Sequence, residues 1–134
     1  MKTRRYQSIK AWQLADNLAV SIYEVTKTFP AEERYGLVSQ MRRGSVSVAA
    51  NIVEGSSRSS WKEYLQFLSV FRGSLAELRY FLHLSKRLGY LTEEKRLQLD
   101  ELCDEVARVS YGLMKAIERG VSPVYHAHSE VVVV

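Results

Sequence analysis

The fold is decided by residues 60–89, which read SWKEYLQFLSVFRGSLAELRYFLHLSKRLG. Large apolar side chains recur along this stretch at alternating steps of three and four residues, which is the spacing of one helix face. They are Trp61, Tyr64, Leu68, Phe71, Leu75, Leu78 and Leu82. Ser60 and Glu63 have the spacing of a capping box at the start of a helix, and Gly89 is suited to end it. The stretch therefore predicts one helix about 40 Å long.

The sequence on either side of this stretch predicts three more helices. Downstream, the same alternation runs over residues 92–120. Upstream, one apolar stripe extends over residues 37–54 with Gly55 as its terminal glycine, and another over residues 9–28 with Ser8 in position to cap it. Short links between helices of comparable length make neighbours antiparallel. We therefore predict an all-α fold, an antiparallel up-down-up-down four-helix bundle.

Size and composition fit a single globular domain. The chain has 134 residues, of which 46% are hydrophobic and 25% charged, and this is enough for one buried core. We assign residues 1–120 to the bundle, including a short basic N-terminal arm, and residues 121–134 to a C-terminal tail. The one cysteine, Cys103, cannot form an internal disulfide, and no stretch resembles a secretory signal or a membrane span. We therefore expect a cytoplasmic location and no contact with a membrane.

No pattern in the sequence predicts catalysis. His83 stands in a helix without a cysteine or acidic partner at a defined spacing, and such a histidine is far more often structural than a general base. Cys103 lies on an apolar helical flank, where a small buried side chain fits. His126 and His128 could bind a metal ion, but two ligands on a tail make a weak site. We predict a protein that is not an enzyme, with no catalytic residue, metal or cofactor.

The second and third helices carry more apolar and hydrogen-bonding side chains than one bundle core can bury. The third helix has a second stripe at helical spacing, and the second helix has a polar face beside a flank of small residues. The residues predicted to form an oligomer interface or a structural motif are Gln40, Val46, Ser47, Ala50, Asn51, Val53, Glu54, Phe67, Glu77 and Phe81. The alternatives are a solvent-exposed polar face and a broad core-facing arc. Because Glu77 interrupts an apolar stripe, we expect it to pair with Arg43, within the subunit or across an interface.

The charge balance favours anionic partners. The chain has a net charge of +4 and a pI near 9.3. The candidate nucleic-acid-binding residues are Lys2, Arg4, Arg5, Lys10, Arg42, Arg43 and Arg58. Side chains of this kind bind phosphates without reading the base sequence. These residues are therefore candidates for binding the backbone of RNA or DNA. The alternatives are an arm that only keeps the terminus soluble, and a protein-interaction scaffold that contacts no nucleic acid.

Several short motifs in the chain match one bacterial family. They are Phe29-Pro30, Glu33, Tyr35-Gly36-Leu37, Gln40, Arg42-Arg43, Ser47, Asn51-Ile52, Glu54-Gly55, Phe67-Leu68, Gly73-Ser74-Leu75-Ala76-Glu77-Leu78 and Leu88-Gly89-Tyr90-Leu91. Over residues 9–120 the chain resembles the four-helix-bundle proteins known as the 23S rRNA intervening-sequence family. The accessory variability determinant of diversity-generating retroelements is a relative of that family.

The resemblance carries expectations about assembly and function. It implies a ring-shaped homopentamer around a central pore that is often basic, without enzymatic activity. It also implies contact with nucleic acid, or with a nucleic-acid enzyme such as a reverse transcriptase. Two residues depart from the family pattern, because Ala49 stands where proline is expected and Gly44 where alanine is usual. The absence of that proline bears on the interface geometry and leaves the predicted fold unchanged.

Overall fold

The computed structural model describes residues 5–120, without the side chain of Arg5. These residues form four α-helices and two short 3-10 turns, and the described range contains no strand. The helices are α1 (Lys10–Thr26), α2 (Leu37–Ser56), α3 (Trp61–Arg87) and α4 (Glu93–Glu118), and the turns are Arg5–Ser8 and Ala31–Glu33. The predictions for Lys2, Arg4, His126, His128 and the tail lie outside the described residues.

The helices enclose one core. Each helix packs on two others in the cyclic order α1, α2, α3, α4 and back to α1. The largest side chains with less than 2% of their surface exposed come from all four helices and include Leu18, Met41, Phe71 and Leu113. Burial of one such side chain contributes about 1.5–3 kcal/mol. The predicted all-α arrangement of four helices around one core is therefore observed.

The predicted ends of α3 and α4 are confirmed. Ser60 Oγ accepts a hydrogen bond from the Glu63 amide at 3.1 Å, and Thr92 Oγ1 accepts one from the Lys95 amide at 3.1 Å. These bonds satisfy amide groups that the first turn of a helix leaves without backbone partners. After α3, Gly89 has a φ of 81°, a backbone conformation that favours glycine.

The ends of α1 and α2 differ from the prediction. The N-cap of α1 is Ile9, without a side-chain cap, and the helix ends at Thr26, earlier than predicted. Helix α2 continues through Gly55 to Ser56, so Gly55 is not the residue that ends it. A Cβ atom on Gly55 would lie 2.8 Å from Cδ1 of Tyr64. Gly55 is therefore needed for the close approach of α3, not for a turn.

The described part of the chain has neither a helix that could span a membrane nor a group of side chains arranged to bind a metal ion. None of the four helices combines the length and the apolar character that crossing a membrane requires. Within residues 5–120, no group of three or more histidine, cysteine, aspartate or glutamate side chains has a metal-binding arrangement.

Candidate functional site

Helices α2 and α3 together present one continuous face. Ser47 Oγ and Ser74 Oγ lie 2.9 Å apart, and Ser85 Oγ donates a hydrogen bond to Met41 Sδ at 3.4 Å. These contacts fix an antiparallel register in which the polar side of α2 runs beside the second stripe of α3. The α2/α3 face consists of Gln40, Arg43, Val46, Ser47, Ala50, Asn51, Val53, Glu54, Phe67, Val70, Ser74, Glu77 and Phe81.

A chain of hydrogen bonds runs through the middle of this face. Asn51 Nδ2 donates to the Ser47 carbonyl at 2.7 Å and to Ser47 Oγ at 3.0 Å, and Ser47 Oγ bonds Ser74 Oγ. All three residues are half-buried. Serine and asparagine are poor residues for a helix interior, but here their polar groups satisfy each other. Within the subunit these residues therefore join α2 to α3.

The apolar residues of the face differ in how well the subunit covers them. Phe67 is half-buried, and the Arg58 guanidinium lies 4.6 Å from the centre of its ring. Phe81 is also half-buried and packs against the core. Val46 and Val70 are exposed by 45% and 54%. The exposed apolar surface of the face is therefore provided by small branched side chains, and both phenylalanines are largely covered within the subunit.

The charged residues of the face do not pair as predicted. Glu77 and Arg43 are both exposed, and no ion pair joins them in the described chain. The prediction of a pair within the subunit is wrong, because this flank of the stripe faces solvent and Glu77 keeps its hydration. Glu54 lies 3.7 Å from Arg58, which is a solvent-exposed pair.

Arg42 has a structural role that the sequence analysis did not predict. Its Nε donates to Thr26 Oγ1 at 2.9 Å, its Nη2 donates to the Tyr23 carbonyl at 3.3 Å, and its guanidinium lies 4.7 Å from the Tyr23 ring centre. The cation therefore sits at the C-terminal turn of α1, where the helix dipole favours positive charge. Its partners precede it by 16 and 19 residues, so no local motif points to this role.

The remaining basic residues do not form one cluster. Arg43 and Arg58 are about 22 Å apart along α2, at about 1.5 Å per residue. Lys10 begins α1 and lies at the same end of the bundle as Arg58. We call this end, where α1 and α3 begin and α2 and α4 finish, the arm end. Its charged residues with described side chains are Lys10, Arg58, Lys62, Lys115 and Arg119, opposed by Glu54, Glu63 and Glu118.

Two open grooves flank α4. The α3/α4 groove has a volume of about 440 Å³ and an apolar floor that includes Phe71, Leu75 and Met114. The α1/α4 groove has a volume of about 460 Å³ and is lined by residues 20–28 and 95–102. Neither lining contains Cys103, which is fully buried, and burial raises the pKa of its thiol to about 12. Cys103 is therefore protonated and inaccessible at neutral pH, as expected for a packing residue.

The fold and the sequence both match known proteins. A family model described as 23S rRNA-intervening sequence protein matches residues 7–112. The chain is also similar to a crystal structure of a protein of unknown function from the S23 ribosomal protein family of Bacteroides thetaiotaomicron VPI-5482. The TM-score is 0.73 at 21% sequence identity, and the match covers 84% of this chain and 99% of that one. The sequence matches no curated protein.

The family match agrees with the structural observations. It spans most of the four-helix arrangement, including all of α1, α2 and α3. The similar crystal structure shows the same fold over nearly its whole length. The chain therefore belongs to the 23S rRNA-intervening sequence protein family.

Proposed function

We propose that the protein is a non-enzymatic, self-assembling helical bundle that binds the phosphate backbone of RNA or DNA with its arm end. The observation that carries this proposal is a set of exposed, unpaired cations at the end of the bundle where the basic N-terminal arm leads into α1. Lys10, Lys62 and Arg119 are exposed and form no ion pair with another described residue. Cations that are not already neutralised are the ones that gain most from releasing counterions of a polyanion.

The opposite end of the bundle also has basic residues. Arg34, Arg87 and Lys95 are exposed and unpaired in the described chain, whereas several others form ion pairs. Lys27 lies 3.2 Å from Glu24, Lys86 lies 3.9 Å from Glu93, and Arg96 also pairs with Glu93. The basic N-terminal arm, with Lys2, Arg4 and Arg5, directly precedes α1 in the sequence, and α1 begins at the arm end. We therefore expect this arm to make a polyanion bind the arm end in preference to the other end.

Self-assembly is the second part of the proposal. The α2/α3 face exposes Val46 and Val70 next to the hydrogen-bonded chain of Ser47, Asn51 and Ser74. A subunit interface would cover these valines and exclude water from the polar groups. The family resemblance suggests five subunits in a ring. The partner bound through the basic residues would be nucleic acid itself or a nucleic-acid-processing protein such as a reverse transcriptase.

Nucleic-acid binding is tested by a salt titration with charge-matched variants. The arm-end variant replaces Lys10, Lys62 and Arg119 by alanine, and the control replaces Arg34, Arg87 and Lys95, which are exposed and unpaired in the described chain at the other end. Binding of a labelled single-stranded RNA and of duplex DNA is measured by anisotropy between low and moderate salt.

The arm-end variant should bind more weakly and with a shallower salt dependence. Each lost phosphate contact lowers the slope of log affinity against log salt by about 0.9 on duplex DNA and about 0.7 on single strands. The control should keep the wild-type slope. Equal effects of the two variants would contradict the assignment to the arm end. No binding to either nucleic acid at low salt would favour the alternative, a scaffold that contacts only protein.

Self-assembly is tested by light scattering in dilute solution. We expect a mass that is a multiple of the 15.4 kDa subunit. Val53→Arg should reduce this mass with less effect on helix content, because it places a charge on the small-residue flank of α2. A helical wild-type protein at the mass of one subunit would contradict the proposal.

A further inference from the structure

A ring requires two different contact surfaces on each subunit. In a head-to-tail ring, one patch of every subunit meets a second, unlike patch of the next. The α2/α3 face supplies the first patch, with the exposed side chains of Val46 and Val70. The second must be a surface that is complementary to it, and the two grooves beside α4 are the concave candidates.

The position of each groove around the bundle separates the two candidates. Because the helices follow the order α1, α2, α3, α4, the α3/α4 groove lies on the neighbouring side of the bundle, about 90° from the α2/α3 face. The α1/α4 groove lies on the opposite side. Contacts about 90° to 108° apart close a ring of about four or five subunits, whereas contacts on opposite sides give an open row. The geometry of closure therefore favours the α3/α4 groove.

The position of each groove along the bundle gives the same answer. In a ring whose axis runs parallel to the helices, residues of neighbouring subunits can meet only if they lie at the same height along that axis. Val46 precedes Ser47, which contacts Ser74, so Val46 and Val70 lie at the level of α3 residues 70–75. The α3/α4 groove occupies residues 71–79 of α3, which is nearly the same level.

The α1/α4 groove lies at another level. It uses residues 95–102 of α4. Arg79 Nη2 lies 3.0 Å from Asp100, and Lys86 Nζ lies 3.9 Å from Glu93. These two ion pairs place that part of α4 beside the C-terminal third of α3. The exposed valines of a neighbouring α2/α3 face would therefore miss this groove.

Glu77 of the α2/α3 face has cations of the groove rim at a similar level, although the face also includes the exposed Arg43. Glu77 is exposed on that face without an ion-pair partner in the described chain. Arg72 on the groove rim is also exposed and has no ion-pair partner among the described residues. Lys115 adds a second cation to the rim, 3.9 Å from Glu118. Arg72 and Glu77 are five residues apart on α3, which is about 7.5 Å along the axis. A long arginine side chain of one copy can reach a carboxylate of the next over this offset.

We propose that the α3/α4 groove receives the α2/α3 face of a second copy of this chain, an inference that rests on the self-assembly proposed above. Val46 and Val70 of one copy lie over the apolar floor of the groove, and Glu77 faces the cations of its rim. In this arrangement both contact surfaces share α3, so α3 lines the inner side of the ring and α1 lies on the outer side.

Three single variants test this inference. Val70→Arg alters the face, and Ala76→Arg fills the groove from an exposed lining position. Val20→Arg is the matched control, because Val20 is an equally exposed valine, at 56%, in the α1/α4 groove. Light scattering should show Val70→Arg and Ala76→Arg at the mass of one subunit and Val20→Arg at the wild-type mass. If Ala76→Arg loses its helical circular dichroism, Tyr111→Arg replaces it, because Tyr111 also lines the groove and is 62% exposed.

Mixing the two assembly-deficient variants gives the decisive readout. The groove of Val70→Arg and the face of Ala76→Arg are intact, so an equal mixture should form a complex of two chains and stop there. If Ala76→Arg and Tyr111→Arg assemble normally while Val70→Arg does not, the face pairs with itself and the inference is wrong. If Val20→Arg alone blocks assembly, the α1/α4 groove is the second patch and the inference is again wrong. A wild-type protein of one subunit would instead contradict the self-assembly on which it rests.

Discussion

Exchanging two glycines of the same helix for alanine should change stability in opposite directions. Glycine inside a helix is less favourable than alanine by about 0.5–1 kcal/mol. At Gly44 a Cβ atom would meet no atom within 4 Å, so Gly44→Ala should realise this gain. At Gly55 the Cβ would lie 2.8 Å from Tyr64 Cδ1 and 3.1 Å from Phe67 Cβ. Both distances are shorter than carbon atoms tolerate without movement of one helix or the other.

The loss of stability expected for Gly55→Ala depends on whether the atoms that the new Cβ would contact can move away. The Tyr64 ring is buried, with 3% of its surface exposed, and the Cβ of Phe67 is attached directly to the backbone of α3. Neither atom can rotate away, so the helices must separate slightly. Overpacking of this kind costs about 1–3 kcal/mol, which exceeds the gain in helix propensity. We expect Gly55→Ala to lower the free energy of unfolding by about 1–2 kcal/mol and Gly44→Ala to raise it by about 0.5–1 kcal/mol.

Urea unfolding followed by circular dichroism measures both changes. The unfolding should be recorded at several protein concentrations, because assembly adds to the apparent stability. The slope of the free energy against urea should stay constant between variants, so that the shift of the midpoint reports stability alone. If Gly55→Ala is as stable as Gly44→Ala, the close approach of α2 and α3 does not require glycine at position 55.

Three further predictions concern buried or engaged side chains, and urea unfolding measures each. Arg42→Ala should cost about 1.5–3 kcal/mol, because it removes charge-assisted hydrogen bonds at the end of α1, and Arg42→Lys should recover only part of this. Tyr64→Phe should leave stability unchanged or raise it by about 1 kcal/mol, because the buried hydroxyl has no hydrogen-bond partner among the described residues; a clear loss would contradict this. Burial raises the pKa of Tyr64 and of Cys103, the latter to about 12. The folded state then holds these protons more tightly, so stability should fall as the pH rises above 9, and less steeply in Tyr64→Phe; a flat profile would refute this.

The parts of the fold that depend on residues close together in the sequence were predictable. The apolar spacing of α3, its cap at Ser60 and its glycine at Gly89 are local patterns, and the structure confirms them. The outcome for Gly55 was different, because a glycine near a helix end suits both a turn and a close helix contact. Only the position of Tyr64 on another helix decides between the two.

The candidate site was less predictable, because it depends on which side chains solvent reaches. Charge alone placed Arg42 among the nucleic-acid-binding residues, although its partners Tyr23 and Thr26 lie on another helix. An apolar stripe suggested a partner for Glu77, although the flank of α3 that carries it is open in the subunit. Ser47 and Asn51 were assigned to an interface or structural motif because polar residues are unfavourable in a helix interior, and within the subunit they hydrogen-bond each other and Ser74.

The short link between α2 and α3 has a consequence for the order in which the chain folds. Only residues 57–60 separate the two helices, so closing this loop costs less entropy than any pairing of distant segments. The bond between Ser47 and Ser74 then favours one register, because a shift by one turn would separate the two hydroxyls. The α2–α3 hairpin is therefore the expected nucleus of the folding transition state, onto which α1 and α4 condense later. The α2/α3 face would thus be formed before α4 packs, whereas the α3/α4 groove that receives it is completed only by α4. Assembly in the proposed arrangement would therefore have to follow the folding of each subunit.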